Sequence, residues 1–218
     1  MKYTTAPLQP GMYYHIYNRG NNRENLFLEN RNYPYFLTLY AKHIEPIADT
    51  YAYCLLRNHF HLSVRIKTEE EFIESSQVLE TCEDSPLKKK KFDPSQNFAN
   101  LFNAYAKAIN KGYGRTGSLF EERFGRIPVM SDTYFANLIF YIHYNPQKHK
   151  FVEDFRDWYW SSYPALIGNG QTKLKRDEVL NMFGGLKGFA DSHQGMVDEK
   201  NLAMLIDEEF DYETSQVL

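Results

Sequence analysis

The chain has 218 residues, enough for one large domain or two small ones with a core that needs no disulfide staples. Hydrophobic residues make up 43% and charged residues 24%, a balance that excludes wholesale disorder, and two cysteines, Cys54 and Cys82, allow neither a disulfide framework nor a zinc ribbon. The net charge of −3 hides an asymmetry: eight acids and one base fall between Asp191 and Leu218, so the remaining 24 bases and 20 acids leave residues 1–190 at +4. A mildly basic body beside an acidic tail fits a polyanionic partner.

No run approaches the roughly 18 apolar residues that cross a bilayer. Residues 1–7 hold no apolar leader core, and a cytoplasmic protein without a membrane partner is expected. Seventeen Tyr and sixteen Phe supply planar faces for a tight core or for stacking bases.

Residues 12–19 are aromatic and β-branched, and Gly20-Asn21-Asn22 closes the strand they predict. Tyr33, Phe36, Leu37, Tyr40, Ala41 and Ile44 recur at helical spacing. Residues 47–56 and 59–66 form a predicted hairpin about Arg57-Asn58, with the helix over one face. Thr68 caps a short helix with three acids in its first turn. The stretch 81–96, with Pro86, Pro94 and the Lys88–Lys91 run, breaks the pattern as an exposed insertion. Phe98, Leu101, Phe102, Tyr105 and Ile109 predict a helix that stops before Gly112 and Gly114. Residues 126–130 predict an edge strand, since Pro128 suits no central one. Ser131 or Asp132 caps a last helix that Pro146 is expected to end.

This order implies one α+β fold: an antiparallel sheet with helices on one side, ferredoxin-like or RRM-like, over residues 1–166, with no second core. Residues 167–218 form a C-terminal helical, acidic extension, with helices expected near 174–183 and 198–210.

His59-Phe60-His61 carries the most chemistry. On a strand, residues two apart share a face, so both imidazoles point one way and Phe60 points into the core. Neutral imidazoles ligate divalent metals, but two surface histidines would look the same. Tyr141 and Asn145, one helical turn apart, could place an amide oxygen and a phenol beside such a metal, or could simply pack and cap the helix end. Arg19, Arg23 and Arg123 lead a set of basic residues suited to phosphates and base edges, and His15 reads as structural. Trp158 and Trp160 read as packing anchors.

Four blocks in order, His59-Phe60-His61 after the Tyr51–Leu56 strand, Gly117–Phe124, Tyr141–Pro146 and Asp157–Tyr163, together resemble the HUH single-tyrosine transposases, in particular their REP-associated tyrosine transposase branch. The resemblance runs from about Tyr13 to Leu166. It implies an RRM-like HUH domain that cleaves and rejoins single-stranded, hairpin-containing DNA through a 5′-phosphotyrosine with a divalent metal, magnesium or manganese. His59 and His61 then match the metal ligands, Asn145 the third ligand and Tyr141 the nucleophile, with Tyr144 the rival. Arg19, Arg23 and Arg123 fall to DNA binding. Monomer and homodimer both stay open, as do a silent hairpin-binding module and a hydrolase of small phosphate esters.

Overall fold

The computed structural model describes residues 6–80 and 91–194. Four strands, β1 (Tyr13–Arg19), β2 (Ala48–Leu55), β3 (His59–Ile66) and β4 (Gly125–Pro128), form one antiparallel sheet in the order β2-β3-β1-β4. β4 takes an edge, as Pro128 demands.

Period-two alternation sorts the side chains of the two central strands. Tyr14 and Ile16 of β1 and Phe60, Leu62, Val64 and Ile66 of β3 face α1 (Asn32–His43) and α3 (Pro94–Tyr113) in one core. There Phe36 meets Phe60 at 5.4 Å, and Tyr105 stands edge-on to Phe36 at 5.1 Å.

The helices do not all lie on one side. α4 (Asp132–Lys148) covers the opposite face, where Phe135, Leu138, Ile139 and Ile142 pack with Tyr51, Ala52 and Cys54 in a second apolar cluster. The cause is the makeup of the sheet: Tyr13, Tyr51 and Cys54 give the second face apolar surface of its own, which a helix must cover.

Helix ends follow side-chain chemistry. α2 (Glu69–Glu80) starts with a capping box, Thr68 Oγ1 accepting from Glu71 N at 3.3 Å while Glu71 accepts from Thr68 N at 2.7 Å. Pro94 opens α3 as its first residue, behind an Asp93 cap that accepts from Gln96 N at 3.0 Å, so the helix claims residues expected in the insertion. It also runs through Gly112 and stops at Gly114, which is left-handed at φ 63°. Ser131 caps α4.

Pro146 does not end α4, which continues to Lys148. A proline in the last turn removes one hydrogen bond where carbonyls are running out of partners anyway, and Asn145 O still accepts from His149 N at 2.9 Å. Most of the lysine run and the helix expected over 198–210 lie outside the described residues.

The outer edge of β2 is covered by the chain after α4. Leu55 N donates to Trp160 O and Ser162 N to Tyr53 O, both at 2.9 Å, and Lys175 N donates to Thr50 O. Trp158 donates its indole N–H to Leu55 O, and Trp160 stacks on Tyr33 at 4.6 Å, so both tryptophans anchor by packing. Short helices α5 (Tyr163–Ile167), α6 (Arg176–Met182) and α7 (Leu186–Ser192) follow, and Val179 and Phe189 bury completely in the α4 cluster.

Candidate active site

The face of the sheet under α4 is unexpectedly polar. His15, His59, His61 and Ser63 are all buried there, although polar side chains rarely bury without a task. Sheet register gathers them: Tyr17 lies opposite His61, Arg19 opposite His59, and His15 opposite Ser63.

His59 and His61 stand 5.2 Å apart, ring to ring and nearly perpendicular. Each spends its Nδ1 on a neighbour. His59 Nδ1 lies 2.8 Å from Asn58 Oδ1, an oxygen that only accepts, so the His59 proton sits on Nδ1 and the lone pair on Nε2, a buried atom. His61 Nδ1 meets His15 Nε2 at 3.0 Å, and donation from His61 leaves the lone pair on its own buried Nε2. Burial, and after it the charges of His15, His59, Lys148 and His149, holds the His61 pKa well below the usual imidazole value. The ring stays neutral, the form that can ligate a metal.

α4 crosses above. Tyr141 lies 5.6 Å from His61 and 6.1 Å from His15, edge-on to both, and is fully buried. Lys148 donates to the Tyr141 hydroxyl at 3.2 Å. Asn145, one turn on, donates Nδ2 to Tyr141 O, while its Oδ1 is buried without a hydrogen-bond partner. Such an acceptor suits a cation or a DNA donor. Tyr144 turns the other way and stacks on Phe140 at 5.6 Å.

A pocket of about 290 Å³ opens at this end of the sheet, lined by Tyr17, Asn18, Arg19, Arg23, Asn58, His59, His61, His149 and Phe151 among others. It brings the two imidazoles together with Arg19 and Arg23, but Tyr141 and Asn145 are not among the residues that line it. Arg19 is held in place by an ion pair with Glu121, whereas Arg23 is exposed in a short 3-10 turn (Asn21–Arg23). Arg123 is exposed on the loop entering β4 and is not part of the pocket lining.

Three residues at this site escaped the sequence reading. Asn58 passed as a turn residue. Lys148 and His149, the latter 4.8 Å from His59, lay past the point where Pro146 was expected to end the helix. The seven-residue step from Tyr141 to Lys148, nearly two full turns, was the available signal.

Gly125 pairs with Tyr17 across β1 and β4, and a Cβ there would fall inside the Tyr17 ring. Tyr17 in turn packs on His15 at 4.9 Å. Gly125→Ala is therefore expected to cost about 1–3 kcal/mol of stability, read by urea unfolding, because the ring and the histidines beneath it must shift.

Among the described residues no three His, Cys, Asp or Glu side chains are placed to hold a metal, and no helix is long and apolar enough to cross a membrane. Sheet topology gives an α+β, RRM-like fold that carries paired imidazoles on one sheet face and a tyrosine on the helix crossing it. No family model matches the chain. A curated REP-associated tyrosine transposase of Haemophilus influenzae is 28% identical over 140 residues, 59% of this chain and 72% of that protein. The solved structure of a REP-associated tyrosine transposase bound to a REP hairpin superposes with a TM-score of 0.56 at 15% identity, covering 79% of this chain and 88% of that one. The chain is thus similar to REP-associated tyrosine transposases in part of its sequence and in its fold.

Proposed function

We propose that the protein is a single-stranded DNA transposase that cleaves and rejoins hairpin-containing DNA in the cytoplasm through a 5′-phosphotyrosine on Tyr141. One observation carries this reading: the Tyr141 phenol, bonded to the Lys148 ammonium, lies against the ring of His61, and His61 lines a pocket together with Arg19 and Arg23.

Arg23, and Arg19 within its ion pair, would hold backbone phosphates at the pocket mouth, with Arg123 on the neighbouring loop. Tyr141 Oη then attacks phosphorus in line. The Oη–P bond forms, the P–O3′ bond breaks, and the phenolic proton is balanced by the one the leaving 3′ oxygen takes up. Lys148 stabilises the charge that develops on the phenolate oxygen. Because the phosphotyrosyl link conserves the energy of the phosphodiester, a second 3′-hydroxyl can reverse the step without ATP.

The donor set fits a divalent metal, magnesium or manganese: the lone-pair Nε2 atoms of His59 and His61 and the Oδ1 of Asn145, all three buried. When bound, the metal would neutralise charge on the scissile phosphate and orient it. Completing the set falls to an amide oxygen and to DNA, in keeping with the absence of a three-residue acidic or histidine cluster among the described residues.

The test is incubation of end-labelled single-stranded hairpins, including those flanking the gene, with protein and magnesium or manganese. A nick with a covalent adduct that maps to Tyr141 and vanishes with chelator is expected; no adduct on any hairpin with either metal would defeat the reading. The complete burial of Tyr141 favours one other reading, a module that binds hairpins without cutting. Under either, Arg23→Ala is expected to weaken DNA binding and to lower the slope of log affinity against log salt by about one, measured by titration across salt concentrations.

A further inference from the structure

The turn that carries Arg23 is wound in an unusual way. Asn22 and Arg23 are both left-handed, at φ 56° and 60°, one directly after the other. Asparagine tolerates this region, but for a side chain as long as arginine it is an outlier that the surrounding structure must enforce. Glycine would adopt it freely, so a turn that only had to join β1 to the next segment would gain nothing from arginine there. The gain is in placement: φ decides the direction in which a side chain leaves the backbone, and Arg23 lines the pocket.

Backbone bonds set the entry to this turn. Gly20 N donates to Asn58 O at 2.7 Å and Asn21 N to Leu119 O at 2.9 Å, after which Arg23 N returns to Gly20 O and Glu24 N to Asn21 O. Past Arg23, the Glu24 carboxylate accepts from Arg115 Nη2 in an ion pair. Arg115 is itself seated. It follows the left-handed Gly114 that ends α3, its N–H donates to Asn110 O at 2.9 Å, and its Nη1 donates to Asn110 Oδ1 at 3.2 Å. Because α3 buries Phe98, Leu101, Tyr105 and Ile109 in the first core, the anchor is the end of a firmly packed helix. The Glu24 side chain is half-exposed, so the pair adds little to global stability. A local choice of φ is decided by a free energy of the same small size, and there such a pair can tell.

We propose that Glu24 and Arg115 are positioning residues: their ion pair latches Asn22 and Arg23 in the left-handed conformation that puts the Arg23 side chain at the pocket, so that its cation meets a DNA phosphate already placed. This rests on the reading of the pocket as a DNA site. It adds to that reading a link from the packed end of α3, through Arg115 and Glu24, to the pocket.

The experiment turns on a sign. Glu24 is an acid beside a site for a polyanion, so by charge alone Glu24→Ala would tighten DNA binding. The latch requires the reverse. Titrating the full chain with labelled single-stranded DNA hairpins from the flanks of its gene, Glu24→Ala and Arg115→Ala are each expected to weaken binding by about two- to fivefold, with urea midpoints close to the parent's. On an Arg23→Ala background Glu24→Ala should weaken nothing further, because the residue it positions is gone. Binding that tightens or stays level in Glu24→Ala overturns the latch alone, as does a loss of equal size with and without Arg23. A parent chain that holds no hairpin at low salt overturns the latch and the DNA reading together.

Discussion

Tyr141→Phe is expected to abolish adduct formation, a fall on the order of ten-thousandfold or more, while leaving the fold and hairpin binding in place. The phenylalanine ring fills the same fully buried space beside His61, so the second apolar cluster keeps its packing. What is lost is the oxygen that would carry the DNA and its hydrogen bond from Lys148, worth about 1 kcal/mol. Removal of a nucleophile leaves no alternative path on the same scaffold. Lys148→Gln is the informative companion. It keeps a donor near the phenol but removes the charge, and should slow cleavage by about ten- to a hundredfold with little effect on hairpin affinity. Single-turnover nicking rates beside equilibrium binding separate the two effects. A Tyr141→Phe protein that still forms adduct at the parent rate would move the nucleophile elsewhere, with Tyr144 first in line.

Mild acid is expected to loosen the C-terminal part of the fold. His143 of α4 and His193, just past α7, are buried and joined at 2.9 Å, and the chain of bonds fixes their protons. Phe189 O accepts from His193 Nδ1 at 2.8 Å, His193 Nε2 accepts from His143 Nδ1, His143 Nε2 accepts from Ser162 Oγ at 2.8 Å, and Ser162 Oγ accepts from Tyr53 N at 2.9 Å. Every link requires both imidazoles neutral.

Burial is the main cause of the depressed pKa values, well below normal for His143 and about 4 for His193. The His193 charge also disfavours a proton on His143, and Arg156, which donates to His193 O, disfavours one on His193. A histidine whose folded pKa lies below its unfolded value contributes fully above the unfolded pKa, and that contribution shrinks as pH falls toward the folded one. For His193 the window runs from about pH 6.5 to about 4 and the loss is roughly 3 kcal/mol across it, with a further loss from His143 in the same direction. Urea unfolding at about pH 7 and about pH 5 should show the decline. His143→Gln with His193→Gln should flatten the slope relative to the parent, which separates this pair from His61, also depressed. Parallel slopes in the two proteins would mean that the pair does not govern acid stability.

Local chemistry read correctly wherever one segment decides its own conformation. The four strands, the hairpin about Arg57-Asn58, the Thr68 and Ser131 caps and the edge position of β4 follow from alternation, turn residues and the missing proline donor. Pro94, Gly112 and Pro146 misled because each was read as a breaker. A proline at a first turn, a glycine one residue from a helix end and a proline in a last turn all sit where the helix has few bonds to lose.

The site divides the same way. That His59 and His61 share a face needed only the two-residue repeat of a strand, and that Tyr141 and Asn145 share one needed only the helical turn. No local pattern could tell which face α4 covers, because that choice depends on how much apolar surface Tyr13, Tyr51 and Cys54 leave on the far side of the sheet once α1 and α3 have covered the near side. Nor could it foresee that Lys148 reaches the Tyr141 hydroxyl, that His15 and Asn58 orient the paired imidazoles, or that His143 meets His193 across fifty residues. Periodicity is a property of neighbours in the chain; the meeting of a strand with a distant helix is settled by which surfaces have to leave water together.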